Sequence, residues 1–360
     1  MSFIVSALIM ILILGVLIIT HELGHFWAAR KRGVGVTEFA IGMGPVILKR
    51  EKTLPDGSPG TKYTLRALPI GGFCLMEGED ADSESPTAFN NASRLSRFLI
   101  LVAGSAMNIV LGVVLCFLFV LPINYTREHS VSVVEQNSAL AAYMQEGDEF
   151  ISINGHRILF YQNIPMFLEL GQSRPSYDLV IQRDGQRINY SGITIDKRDF
   201  NDGNGARFGF ACAEYHKNTF GDKMGYAVRY AADSCRLVWI SLGELIFGSA
   251  GLGDLMGPVG MGGAVNTIVT DEESNTFGRI WGLLSMGILI SLNLAVVNLL
   301  PIPALDGGRI VFLLIETIRR KPVPPKVEGT IHGAAMLCLF ALMAIVMFND
   351  IVRLIGGGGP

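Results

Sequence analysis

Charge is scarce in this 360-residue chain: 17% of its residues are Asp, Glu, Lys or Arg, 50% are hydrophobic, and the net charge is −3. Soluble domains average about 25% charged residues, so the composition points away from a soluble globule. No block of lysine and arginine marks a nucleic-acid surface, and so small a net charge gives no electrostatic reason for one. Nucleic acid is therefore not an expected partner. Cysteine is also sparse. The five, Cys74, Cys116, Cys212, Cys235 and Cys338, lack CxxC spacing and indicate no disulfide framework, leaving Cys212 with Cys235 as the one pair to check. The first twenty residues lack both a basic leading region and a small-x-small cleavage site, which argues for a retained helix over a signal peptide.

Long apolar runs are what the chain does have. Crossing a bilayer's hydrocarbon takes roughly 20 mostly apolar residues, and 3–20, 98–125, 280–305 and 331–348 meet that length. Four transmembrane helices are expected. Arg30, Lys31 and Arg32 follow the first run, Arg94 and Arg97 precede the second, and Arg309, Arg319, Arg320, Lys321 and Lys326 lie between the third and fourth. Positive residues stay in the cytoplasm, which places the amino terminus and 126–279 outside. A further apolar stretch at 233–263 is interrupted by Glu244 and Asp254 and is rich in glycine, so it is expected to lie on the membrane surface. The alternative is a fifth span, which would invert everything after it.

Three polar residues end the first run: "THELGH" holds His21, Glu22 and His25. Ionisable groups at membrane depth are costly and point to function. On a helix, His21 and His25 project from one face a turn apart and can share one metal ion. HExxH pairs two imidazole ligands for Zn²⁺ with a glutamate able to take a proton from water. The alternative is a pair of interfacial histidines with Glu22 paired to Arg30. His129, His156, His216 and His332 have no such spacing and are expected at surfaces or interfaces.

Catalytic zinc usually takes three protein ligands. "NLLPIPALDGGR" (298–309) offers Asp306, on the cytoplasmic side at the depth of HELGH. By spacing alone it is equally well the N-cap of the helix that follows. Pro301 and Pro303 cannot continue a regular helix, so the third span is expected to break there, beside a protein- or water-lined cavity.

HELGH in a first span with NxxPxPxLDGG in a later one resembles the site-2 proteases, membrane-embedded zinc metalloproteases, and the chain order resembles their bacterial RseP/RasP-type branch. "YTLRALPIGGFCLMEGED" (63–80, ending at Asp80) is similar to that branch's re-entrant β-hairpin, "GSAMN" (104–108) to its second-helix motif, "LMGPVG" to its motif before the third span, and "FNDIVRL" to its last-helix ending. Ser105 stands where proline is frequent, and Arg309 where many members have histidine. The resemblance implies one zinc ion held by His21, His25 and Asp306, Glu22 as catalytic base, and a substrate-binding group of Asn298, Pro301, Pro303, Gly71, Gly72 and Asn108. It also implies single-span membrane substrates, such as anti-sigma factors or remnant signal peptides cut once outside, and a place in the bacterial cytoplasmic membrane.

Between the second and third spans, "NSALAAYMQEGDEFISING" and a β-rich stretch with an Asp184-Gly185 hairpin turn resemble a PDZ domain with a groove for an added strand. Any small β-rich domain is the alternative. The expected fold is an α-helical polytopic membrane protein of four spans with a re-entrant β-hairpin and one extracytoplasmic PDZ-like α/β domain. Its boundaries are 1–30 (first span), 31–93 (cytoplasmic and re-entrant β region), 94–125 (second span), 126–200 (PDZ-like), 201–279 (interfacial), 280–306 (broken third span), 307–330 (cytoplasmic) and 331–355 (fourth span). The expected activity is an intramembrane zinc endopeptidase. The competing expectation is a non-proteolytic membrane scaffold that binds partners, or stores zinc.

Overall fold

The computed structural model describes residues 3–53, 59–79, 83–127, 129–171, 176–200, 205–212, 215–248, 255–271 and 274–355. Asp80 and Asp254 lie outside them. In chain order, α1 (Phe3–Lys31), β1 (Val36–Thr53), β2 (Pro59–Met76) and α2 (Arg94–Val120) come first. A β-rich region follows with β3 (Tyr125–Arg127), β4 (Val133–Val134), β5 (Glu149–Ile153), β6 (His156–Arg157), α3 (Asn163–Leu170), β7 (Tyr177–Arg183) and β8 (Gln186–Ile193). It continues through β9 (Arg198–Asp199), β10 (Ala206–Arg207), β11 (Phe210–Ala211) and β12 (Tyr215–Lys217). The chain ends with α4 (Phe220–Phe247), α5 (Pro258–Thr270), α6 (Thr276–Asn298), α7 (Asp306–Arg319) and α8 (Pro325–Ile355). These elements form two compact units, a helical one from 1–119, 234–246 and 250–360, and a β-rich one centred on 120–233.

Four described helices are long and apolar enough to cross a membrane: Ile4–Lys31, Arg94–Val120, Thr276–Asn298 and Lys326–Arg353. The third ends at Asn298 because Pro301 follows within a turn and Pro303 two residues later. Asp306 therefore does not close this span, as the sequence suggests; it is the first residue of α7. α2 runs unbroken through Ser105. Close approach of α1 and α2 depends on small residues, as expected where lipid removes any hydrophobic advantage of helix contact: a Cβ on Gly24 would collide with the Ala103 carbonyl.

α5 departs from the surface-lying expectation. It packs against α1, α6 and α8, with Gly260, Gly263, Val265 and Val269 buried. The physical reason is that its polar groups are satisfied within the bundle. Asp350 of α8 caps its start, accepting from Gly257 N at 3.2 Å and Gly260 N at 2.8 Å, and Asn266 accepts from Ser6 at 3.0 Å. Its 13 residues are too few to span, so the count of four stands.

The hairpin of β1 and β2 folds over on itself. Ala40 is paired with both Phe73 and Thr64, while Leu48, Lys49 and Arg50 pair with Leu65, Thr64 and Tyr63. Two long bent strands thus build a sheet four segments wide. The bends require backbone with positive φ, supplied by Gly42 (φ 84), Gly44 (φ 83) and Gly71 (φ 84). Met43, Val46, Ile47, Leu48 and Leu68 at that end are exposed and apolar, and Pro69 O would lie 3.6 Å from a Cβ on Gly15, midway along α1. The other end is anchored by a core of Phe26, Ala29, Val36, Phe39, Met76 and Ile100.

The β-rich unit holds an antiparallel sheet in the order β6-β5-β7-β8 around fully buried Leu140, Phe150, Ile153, Phe167, Leu179 and Ile181. Asp184 (φ 50) and Gly185 (φ 77) join β7 to β8 in the left-handed conformation that a two-residue hairpin needs. The unit does not stop at residue 200: β11 pairs with β4, and β12 with β3. None of the five cysteines is in a disulfide, so Cys212 and Cys235 are not bridged.

Candidate metal centre

α1 presents His21 and His25 from one face, and α7 brings Asp306 to them. His21 Nε2 and His25 Nε2 are 3.1 Å apart, and Asp306 Oδ2 lies 3.1 Å from the first and 3.3 Å from the second. Among the described residues these three form the one grouping of His, Cys, Asp or Glu side chains able to hold a metal ion. The edges of a tetrahedron drawn at zinc's usual ligand distances are about 3.3 Å long, which this triangle matches. Asp306 Oδ2 is buried and has no hydrogen-bond partner, a costly state unless a cation compensates it. The donor set thus fits zinc. The capping alternative for Asp306 fails on position, since Leu305 is the N-cap and no side chain caps α7.

The imidazoles are oriented from behind. His25 Nδ1 donates to Ile100 O at 2.9 Å, which leaves Nε2 with its lone pair toward Asp306. Asn108 is fully buried, its amide nitrogen 3.5 Å from His21 Nδ1 and its Oδ1 without a partner. With the amide turned over, Oδ1 faces His21 Nδ1 and can accept its proton, which frees Nε2. Asn108 was grouped with substrate by its motif; buried behind His21, it has no surface to offer one. Gly104 explains another part of that motif: a Cβ there would collide with both rings.

Glu22 lies beside the triangle with Oε2 accepting from Cys74 N on β2 at 2.9 Å. It does not pair with Arg30, whose guanidinium sits over the Phe26 ring. Gly72 brings β2 close, since a Cβ there would lie 2.9 Å from Ala40 O and 3.9 Å from Glu22 Cγ. Gly71 serves the bend and faces Met43. A cavity of about 230 Å³ is lined by His21, Glu22, Asn298, Ala304, Leu305 and Asp306, and Asn298 Nδ2 is 3.4 Å from His21 Nε2. Pro301 and Pro303 shape the turn, but Ala304 and Leu305 line the cavity in their place. Gly307 and Gly308 let this turn lie flush on α7, because a Cβ on either would strike the carbonyls of Leu300 and Ile302. Arg309 forms an ion pair with Glu79, and Arg97 one with Glu316.

The sequence signals identified HELGH and Asp306 but missed Ile100 O and Cys74 N, which are backbone groups that any residue type could present. They also missed His332, whose Nδ1 accepts from Ala304 N at 2.7 Å.

The chain is similar to known proteins over most of its length. Residues 9–342 match the model of peptidase family M50. A Clostridium perfringens protein named as a zinc metalloprotease is 33% identical over 338 residues, covering 93% of this chain and 95% of the relative. A Clostridium acetobutylicum protein of the same description is 33% identical over 349 residues, 96% and 97% of the two chains. The zinc metalloprotease RasP of Geobacillus kaustophilus is 28% identical over 432 residues, 97% and 98% of the two chains.

Proposed function

The chain belongs to peptidase family M50, the site-2 proteases, and is a multi-pass membrane zinc metalloendopeptidase; from that premise we propose that His21, His25 and Asp306 hold one zinc ion, that Glu22 is the general base, and that the bond cut lies within a transmembrane segment. The observation that carries the reading is the triangle of three ligand atoms around a buried carboxylate oxygen with no hydrogen bond. Bound zinc supplies Lewis acidity to the scissile carbonyl and makes water acidic near neutral pH.

Everything else is done by the chain. Cys74 N–H holds Glu22 Oε2, leaving Oε1 to take the proton from water and deliver it to the departing amine nitrogen. A peptide bond in a helix is hydrogen-bonded and shielded, so substrate must unwind first. Its freed backbone groups then need partners, and the β2 edge at Gly72 to Cys74 can supply them by strand addition. Asn298 holds the opposite side. The apolar bends of the hairpin, laid against the middle of α1, support a re-entrant placement in the bilayer.

The substrate class is single-span membrane proteins already trimmed outside, of the anti-sigma-factor or remnant-signal-peptide type. The site faces the cytoplasmic side of a bacterial cytoplasmic membrane, with the amino terminus outside. The β-rich unit acts as a PDZ-like module that excludes substrates with bulky outer domains. The rival, a non-proteolytic scaffold, leaves Glu22 beside the triangle without a purpose.

The test is purified protein in detergent, assayed for zinc and for cleavage of a transmembrane peptide. One zinc per chain is expected, and Glu22→Gln should keep it while lowering kcat about 10²–10⁴-fold. Full cleavage by Glu22→Gln would end its role as base. For orientation, single cysteines introduced at Lys52 and Lys321 into a cysteine-free variant should resist an impermeant thiol reagent in intact cells while one at Asp184 reacts; labelling at Lys321 would reverse the topology.

A further inference from the structure

The turn that delivers Asp306 is held in an unusual backbone state. Ala304, two residues before the carboxylate, has φ 83, a conformation that side-chain-bearing residues adopt rarely and keep only when their surroundings enforce it. Both neighbours of the turn limit its own bonding. Pro301 and Pro303 have no N–H, and within the turn the backbone bonds are Ile302 N to Leu300 O at 2.7 Å and Leu305 N to Ile302 O at 3.1 Å. The Ala304 N–H leaves the turn altogether and goes to His332 Nδ1 on α8, at 2.7 Å.

His332 is itself fixed. Its side chain is 16% exposed, the Phe312 ring lies 5.4 Å away between centroids, and Glu328 Oε1, one helical turn back, is 3.5 Å from Nε2. Because a backbone N–H donates to Nδ1, that nitrogen is bare and the ring proton sits on Nε2, on the Glu328 side. Imidazole and turn together form a strut between the fourth span and the segment that ends in Asp306.

We propose that His332 is a positioning residue that locks the left-handed Ala304 backbone through Nδ1 and thereby sets where the Asp306 carboxylate stands relative to His21 and His25. The proposal rests on the reading of Asp306 as a zinc ligand. It assigns α8, which contributes no ligand, a direct part in building the metal centre. Ala304 also lines the cavity in front of the ligands, so the same bond shapes the floor on which substrate would rest.

The experiment uses the full-length protein in detergent and three substitutions. Asparagine places its Oδ1 near where histidine holds Nδ1, whereas the acceptor of glutamine lies near Nε2. His332→Ala should weaken zinc affinity about 10–100-fold and speed amide exchange in a peptide covering 299–306 by on the order of tenfold. His332→Asn should restore both, and His332→Gln neither. Parent affinity and exchange in His332→Ala, or equal behaviour of the Asn and Gln variants, would overturn the proposal. Far-UV circular dichroism and melting temperature establish that each variant is folded. If a variant is not, exchange within 299–306 in Ala304→Gly, which removes the backbone conflict without touching α8, decides: a change in that segment alone supports the strut, and parent exchange opposes it. A parent protein that binds no zinc would refute the metal reading instead, which the exchange measurement separates from failure of the strut.

Discussion

A fully buried carboxylate in the β-rich unit and a partly buried one in the helical unit are treated in opposite ways. Asp148 in the β-rich unit is fully buried and receives the Arg183 guanidinium at two points, Nε to Oδ1 and Nη2 to Oδ2, both at 2.7 Å, plus the Gln145 amide at 2.8 Å. The pairing holds the Arg183 pKa above its ordinary value. Asp306 in the helical unit has two imidazole nitrogens at 3.1 and 3.3 Å, yet its buried Oδ2 has no hydrogen bond. Burying charge is tolerable only with compensation. Where the protein supplies all of it, the group belongs to the architecture. Where the nearest groups are two imidazole nitrogens whose protons lie on the far side of the ring, the carboxylate suits the proposed role of ligand.

The largest effect that could break this contrast comes from exchanging the two carboxylates for alanine. Asp306→Ala should lose stoichiometric zinc and all cleavage while melting close to the metal-free parent. Asp148→Ala should keep zinc and destabilise the β-rich unit by about 3 kcal/mol, measured as faster limited proteolysis within 129–212. Zinc loss from Asp148→Ala, or full zinc in Asp306→Ala, would erase the distinction. A smaller effect is expected where the imidazoles are supported rather than replaced. Gly104→Ala pushes a methyl into both rings and should lower zinc content more than Asn108→Ala, which removes one orienting partner and should cost about 10–100-fold in affinity. Equal zinc affinity in Asn108→Ala and the parent would mean that His21 is held by packing alone.

How much of this could be read from the sequence depends on how local each signal is. His21 and His25 are one turn apart, so helical geometry alone pairs them. The four spans followed from length and hydropathy. Asp306 could not be paired with them by spacing, because 281 positions separate it from His25 and its prolines and glycines serve a turn as readily as a cap; only the resemblance of its motif singled it out. Backbone groups such as Ile100 O and Cys74 N carry no residue signature. His332 has Glu328 one turn before it on α8, but its bond to Ala304 N joins positions 28 apart that no sequence pattern links. The β-rich unit was cut short at 200 because β9 to β12 are two or three residues long, too short for an alternating pattern. Gly42 and Gly44 hinted at irregularity, but one bend per strand, turning a hairpin into a four-segment sheet, depends on pairing that sequence does not display.

The smallest expected effect sharpens the comparison from the other side, by asking whether the β-rich unit contributes anything to the metal centre. His21, Glu22, His25, Asp306 and His332 all belong to the helical unit. The unit should therefore be removable without loss of zinc. Its strand pairing shows where to cut: Arg127 is directly opposite Tyr215 in the antiparallel pair of β3 and β12, so 128–214 can be replaced by a short Gly/Ser linker while that pair stays intact. A cut at 131–195 would leave β11 without β4 and part of the core exposed. The shortened protein should bind one zinc and cleave a short transmembrane substrate as the parent does, because a steric gate excludes substrates and stabilises no transition state. It should also cut an untrimmed substrate that the parent spares. Both substrates are compared in one membrane preparation with Glu22→Gln as the blank and protein amounts matched. Retained zinc with lost short-substrate cleavage would reject the gate and make the unit an obligatory capture site, since the metal readout separates that outcome from collapse of the helical unit.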